Sequence, residues 1–107
     1  MNATNENLDI RRAGIEDYEI LRDLFKHLIP NDIPMTEDRG RTALNAMLSH
    51  PGLTTLIGFH HGQPVSTCTL IAVPNFSRAG APFAFIENVV THRDHRGKGF
   101  GERLLQH

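Results

Sequence analysis

The run from Glu87 to Leu105, Glu-Asn-Val-Val-Thr-His-Arg-Asp-His-Arg-Gly-Lys-Gly-Phe-Gly-Glu-Arg-Leu-Leu, joins an apolar strand to a helix through a basic, glycine-rich turn. Arg93, Arg96 and Lys98, three of the chain's eleven Lys and Arg residues, fall within six positions. Gly97, Gly99 and Gly101 remove every second side chain where the helix should begin. Amides in the first turn of a helix have no intrahelical partner, and the summed peptide dipole places about half a positive charge there. Such a terminus accepts phosphate. Glycine lets a diphosphate approach the main chain and tolerates the positive φ that turns successive amides inward.

Spacing separates this turn from other phosphate loops. A Walker A loop needs Gly-Lys followed by Ser or Thr, whereas Lys98 is followed by Gly99 and Phe100. A dinucleotide fingerprint fits Gly97 and Gly99 but requires a glycine where the chain has Glu102. What remains is Arg-x-x-Gly-x-Gly at Arg96, Gly99 and Gly101, preceded by a strand ending in Val89-Val90-Thr91. This arrangement resembles the acetyl-coenzyme A signature of the GNAT superfamily of N-acetyltransferases. The resemblance implies that the strand before the turn is bulged and that its main chain at Val89, Val90 and Thr91 pairs with the pantetheine arm of the cosubstrate. It assigns the diphosphate cradle to Arg96, Gly97, Lys98, Gly99, Phe100 and Gly101, chiefly through backbone amides. Phe100, Leu104 and Leu105 supply the apolar side of the following helix.

The 107 residues, 39% hydrophobic with a formal charge of −1, fit one small globular domain, residues 1–107. No apolar run approaches the roughly twenty residues of a membrane span, and the polar, acidic opening from Met1 to Asp9 is no signal peptide. A cytoplasmic protein without membrane association is therefore expected. The near-neutral balance argues against nucleic-acid binding, which favours a broad basic face. The local Arg/Lys cluster suits one small polyanion. Cys68 is the single cysteine, so neither an internal disulfide nor a paired-cysteine zinc site is possible. It reads as a buried strand residue.

Along the chain, Leu8 to Arg12 reads as a first strand and Ile15 to Ile29 as a helix, with Ile20/Leu21, Leu24/Phe25 and Leu28/Ile29 at helical spacing. Gly14 serves as its N-cap, with Glu16 and Asp17 in the first turn. Pro30 and Pro34 end it. Thr36 caps a second helix through Ser49, with Leu44, Met47 and Leu48 as its apolar face, and His50-Pro51-Gly52 stops it. Strands follow at about 53–59 and 65–73, joined by a hairpin turn at His60-His61-Gly62-Gln63-Pro64. Adjacent His60 and His61 point to opposite faces and are expected in a solvated turn rather than on a metal; His92 and His95 are expected at a polar surface. A fourth strand, about Phe83 to Val90, leads into the turn. The order β-α-α-β-β-β-α matches the first part of the α/β GNAT fold, a mixed, mostly antiparallel sheet flanked by helices.

The chain departs from the family at its end. A complete GNAT domain continues past Gln106-His107 with another strand, a helix and usually a final hairpin. The expectation is either a C-terminally truncated chain or a homodimer in which a second copy completes the sheet and covers an edge strand.

The resemblance also implies the chemistry: direct attack of an amine on the acetyl thioester, with positioning supplying much of the rate and a carboxylate on the fourth strand acting as base. Glu87 is that carboxylate, and alternation puts it on the face of Phe83 and Phe85. A surface carboxylate that only supports strand pairing is the other reading of Glu87. Amides of Val89 or Val90 would polarise the thioester. The acceptor, a small-molecule or protein amine, is expected near Asn31 to Met35 and near Asn75 to Ala81, where Asn31, Asp32 and Arg78 could meet it or simply form turns. Besides an acetyl-coenzyme A dependent N-acetyltransferase, two functions compete: a non-catalytic remnant that binds coenzyme A or a partner, and a nucleotide-binding regulator, which the motif spacing disfavours.

Overall fold

The computed structural model describes residues 8–29 and 33–92. Strand β1, Leu8–Arg12, leads through a 3-10 turn, Ile15–Asp17, into helix α1, Tyr18–Phe25. Helix α2, Glu37–Ser49, and strands β2, Leu53–His60, β3, Gln63–Val73, and β4, Phe83–Thr91, follow in that order. The expected succession of a strand, two helices and three strands is therefore found. The helix expected after the glycine-rich turn lies outside the described residues.

The first helix is shorter than its apolar spacing suggested. At its start the Asp17 amide bonds to the Gly14 carbonyl, a three-residue step. The Asp17 carboxylate meanwhile accepts from Arg11 and from the Gly14 amide, so the entry is wound around that side chain. At its end Leu28 bonds back to Phe25 in another three-residue step, and a proline next to Ile29 disfavours further α conformation. The second helix begins at its expected cap, where Thr36 Oγ1 accepts from the Arg39 amide at 3.2 Å.

The strands form one antiparallel sheet in the order β1-β2-β3-β4, a meander in which each strand pairs with the next. Residues directly opposite in such pairs share a face. One face, toward the helices, carries Ile57 packed with Tyr18, Leu21, Leu24 and Leu44, and Phe59 at the margin. The other carries Leu56 and Cys68, with Ile10 and Leu70 against them. Cys68 is fully buried, as its strand position suggested, and burial pushes its thiol up. That suits packing and not nucleophilic chemistry.

The hairpin is tighter than expected. Strand β2 runs through His60, which pairs with Gln63, leaving His61 and Gly62 as a two-residue loop. Both have positive φ, 51° and 77°, the type I′ geometry whose twist matches the flanking strands. His60 is buried rather than solvated, because it belongs to the strand and not to the turn. Its ring lies against that of His61, with centroids 4.1 Å apart.

Candidate active site

Strand β4 positions the site. Its partner is β3, with Phe83 opposite Val73, Phe85 opposite Ile71 and Glu87 opposite Thr69. The register then slips: Val90 is opposite Thr67, so Asn88 and Val89 together face Cys68 alone. This is a β-bulge, and Asn88 carries it with φ of 52°. Asparagine is among the few residues other than glycine that enter this left-handed region readily. The expected bulge thus falls between the candidate base and the turn. Among the described residues no strand pairs with the second edge of β4.

The bulge sets where each predicted residue on β4 lies. Glu87 precedes it and lies on the helix-side face, exposed, with half-exposed Phe83 and Phe85 on the same face. The two phenyl rings have centroids 6.5 Å apart. Val89 sits in the bulge and is 40% exposed, whereas Val90 is 3% exposed and turns into the core opposite Thr67. Thr91 pairs with Ser66, and the His92 amide bonds to the Val65 carbonyl at 2.7 Å, which extends the β3–β4 pairing to the last described residue. Asn88 and Val89 have no individual register partner on β3. Arg96, Gly97, Lys98, Gly99, Phe100 and Gly101 lie outside the described residues, as do Asn31, Asp32 and His95.

Helix α1 meets the end of β4. The His27 and His92 rings are in contact, centroids 4.1 Å apart, beside a cavity of about 470 Å³ that Glu19, Asp23, Gln63 and Pro64 also line. No spacing rule could have joined these two histidines, since they are brought together only by the packing of α1 on the sheet. Among the described residues no group of three His, Cys, Asp or Glu could hold a metal ion. No described helix is long and apolar enough to cross a membrane.

The loops expected to meet an acceptor differ in character. Ile33 and Met35, in the link between the helices, are 85% and 54% exposed. In the segment before β4, Asn75 Nδ2 donates to Ser77 Oγ at 2.7 Å, and Ala79 has φ of 57°, a turn-forming role. Phe76 there is fully exposed.

The comparisons with known proteins agree with this geometry. An acetyltransferase of Agrobacterium tumefaciens strain C58, so described, superposes with a TM-score of 0.87 at 42% identity, over 92% of this chain and 69% of its own. A Trypanosoma brucei acetyltransferase gives a TM-score of 0.76 at 26% identity, over 94% and 70% of the two chains. An aminoglycoside N-acetyltransferase in complex with CoA shares the fold, with a TM-score of 0.74 at 20% identity over 94% of this chain and 65% of its own. No curated protein sequence matches. The model of the acetyltransferase (GNAT) family matches residues 18–107, and the chain belongs to that family.

Proposed function

We propose that this chain binds acetyl-coenzyme A and transfers its acetyl group to a primary amine of a small molecule or a protein. The observation that carries this reading is the bulge at Asn88 and Val89, placed between an exposed carboxylate and the Arg-x-x-Gly-x-Gly turn. Members of the GNAT family use acetyl-coenzyme A, and one solved relative by fold is a CoA complex. When bound, the cosubstrate supplies an acetyl thioester.

Each residue then has one task. The main chain of Val89, Val90 and Thr91 holds the pantetheine arm, and the amides from Arg96 to Gly101 hold the diphosphate. The amide of Val89 or Val90 donates to the thioester oxygen, where negative charge develops. Glu87 takes a proton from the acceptor's ammonium group, directly or through one water. The freed nitrogen lone pair would attack the thioester carbon and form the carbon–nitrogen bond; as the carbon–sulfur bond breaks, its electron pair would leave on sulfur, which takes up the second nitrogen proton to give the free thiol.

A second reading, a module that binds coenzyme A without turning it over, draws on the second edge of β4, which has no partner strand among the described residues. Kinetics separates the two. With acetyl-coenzyme A and a panel of primary amines, Glu87→Gln should lower kcat by about a hundredfold or more and leave coenzyme affinity intact. Unchanged kinetics would remove Glu87 from the mechanism, and absence of transfer to any amine by a chain that binds the coenzyme would favour the binding module.

A further inference from the structure

Three side chains lie in one row across the helix-side face. Thr55 on β2 is opposite Thr69 on β3, which in turn is opposite Glu87 on β4. Thr55 and Thr69 are 3% and 2% exposed, and neither Oγ1 has a hydrogen-bond partner among the described residues. Their neighbour Thr67 behaves differently: its hydroxyl donates to the Leu56 carbonyl at 2.7 Å. Ser66 Oγ also lacks a partner, but it lies on the opposite face, across from Gly58. Thr55 and Thr69 therefore share a face and a register row with the candidate base.

A buried hydroxyl without a bond destabilises its fold, and valine fills the same space without that cost. Two such hydroxyls in adjacent register, leading to one carboxylate, are chemically matched to it. A hydroxyl donates and accepts, so Thr55 can donate to Thr69 while Thr69 donates onward. Opposite strand residues have Cβ atoms about 4.5–5.5 Å apart, close enough for a direct bond after rotation about χ1 or for one bridging water. A carboxylate is the strongest acceptor available to such a chain, and linked hydroxyls reinforce one another.

We propose that Thr69, backed by Thr55, is a positioning residue that orients the Glu87 carboxylate toward the acceptor amine through a hydrogen bond, made directly or through one water. This rests on the reading of Glu87 as base. The row links the sheet interior to the site, so the carboxylate is held by the scaffold and not by the exposed face alone.

The test uses the full chain with acetyl-coenzyme A and the best acceptor from a primary-amine panel. Thr69→Val should lower kcat about tenfold or more with KM for acetyl-coenzyme A unchanged, Thr69→Ser should restore kcat, and Thr55→Val should give a smaller loss. In a Glu87→Gln background, Thr69→Val should add little, because both act on one step. A wild-type kcat for Thr69→Val, or an equal loss in both backgrounds, overturns the proposal. Glu87→Gln with unchanged kinetics would instead remove the base reading. A thermal measurement stands apart from activity: Thr69→Val, which keeps the buried volume and removes only the hydroxyl, should melt below the wild type if the hydroxyl is bonded, and a melting temperature equal to or above the wild type overturns the proposal.

Discussion

Asp17 is 2% exposed and accepts from Arg11 Nη1 and Nη2 at 2.7 and 2.8 Å and from the Gly14 amide at 2.8 Å. The guanidinium also lies over the Phe59 ring, 4.8 Å from its centroid. The Arg11 hydrogen bonds hold the Asp17 carboxyl below the usual carboxylate range, against the opposing pull of burial, and the Gly14 amide adds to them. A depressed folded value means stability that is complete above the unfolded pKa, about 3.9, and is lost as pH falls through the folded one. Asp17→Asn should cost about 1–2 kcal/mol at pH 7, the lower part of the range because Arg11 is half exposed. Urea unfolding should show that gap closing toward pH 3; a gap independent of pH would contradict the assignment. The sequence offered Asp17 only as an acidic first-turn residue, since a pair six positions apart across a strand and a turn has no local signature. Asn88 was equally hidden, because a bulge interrupts alternation at a point that alternation itself does not mark.

Elements were more legible than their joints. Strand β1 runs from Leu8 to Arg12 and helix α2 from Thr36's cap to Ser49, as apolar spacing and the cap residue required. The ends of α1 and the hairpin differed, because hydrogen bonds to Asp17 and the register of His60 with Gln63 decided them. The crossing of α1 and α2 was not legible at all. Gly40 of α2 packs on the Tyr18 ring, where an added Cβ would lie 2.6 Å from Oη and 2.7 Å from Cε1. Arg41 covers the same ring, 4.6 Å from its centroid. Alanine favours a helix interior by about 1 kcal/mol over glycine, yet overpacking a buried ring costs about 1–3 kcal/mol. Gly40→Ala should therefore leave stability unchanged or lower it by up to about 2 kcal/mol in chemical denaturation. A gain of about 1 kcal/mol would show that Tyr18 yields.

The sheet, helices and bulge place Glu87, Val89 and Thr91 in sequence along β4, and the glycine-rich stretch follows in the sequence. Family membership was legible because Arg96, Gly99 and Gly101 carry a dense local pattern. The acceptor was not, since loops of turn-forming residues around Asn31 and Asn75 carry no comparable pattern. In the proposed function, coenzyme binding would join the bulged strand to the glycine-rich stretch, so it is the property on which the rest of that proposal depends. Calorimetric titration of acetyl-coenzyme A into the 107-residue chain, with the solution mass recorded in the same buffer, measures it. The expected result is saturable binding by the wild type and its loss in an Arg96→Ala/Gly99→Val variant that remains folded. A mass of two chains would add the second copy expected to complete the sheet, and a monomer would remove it. A folded wild-type chain that takes up no acetyl-coenzyme A would contradict the assignment of β4 and its turn as the cosubstrate site.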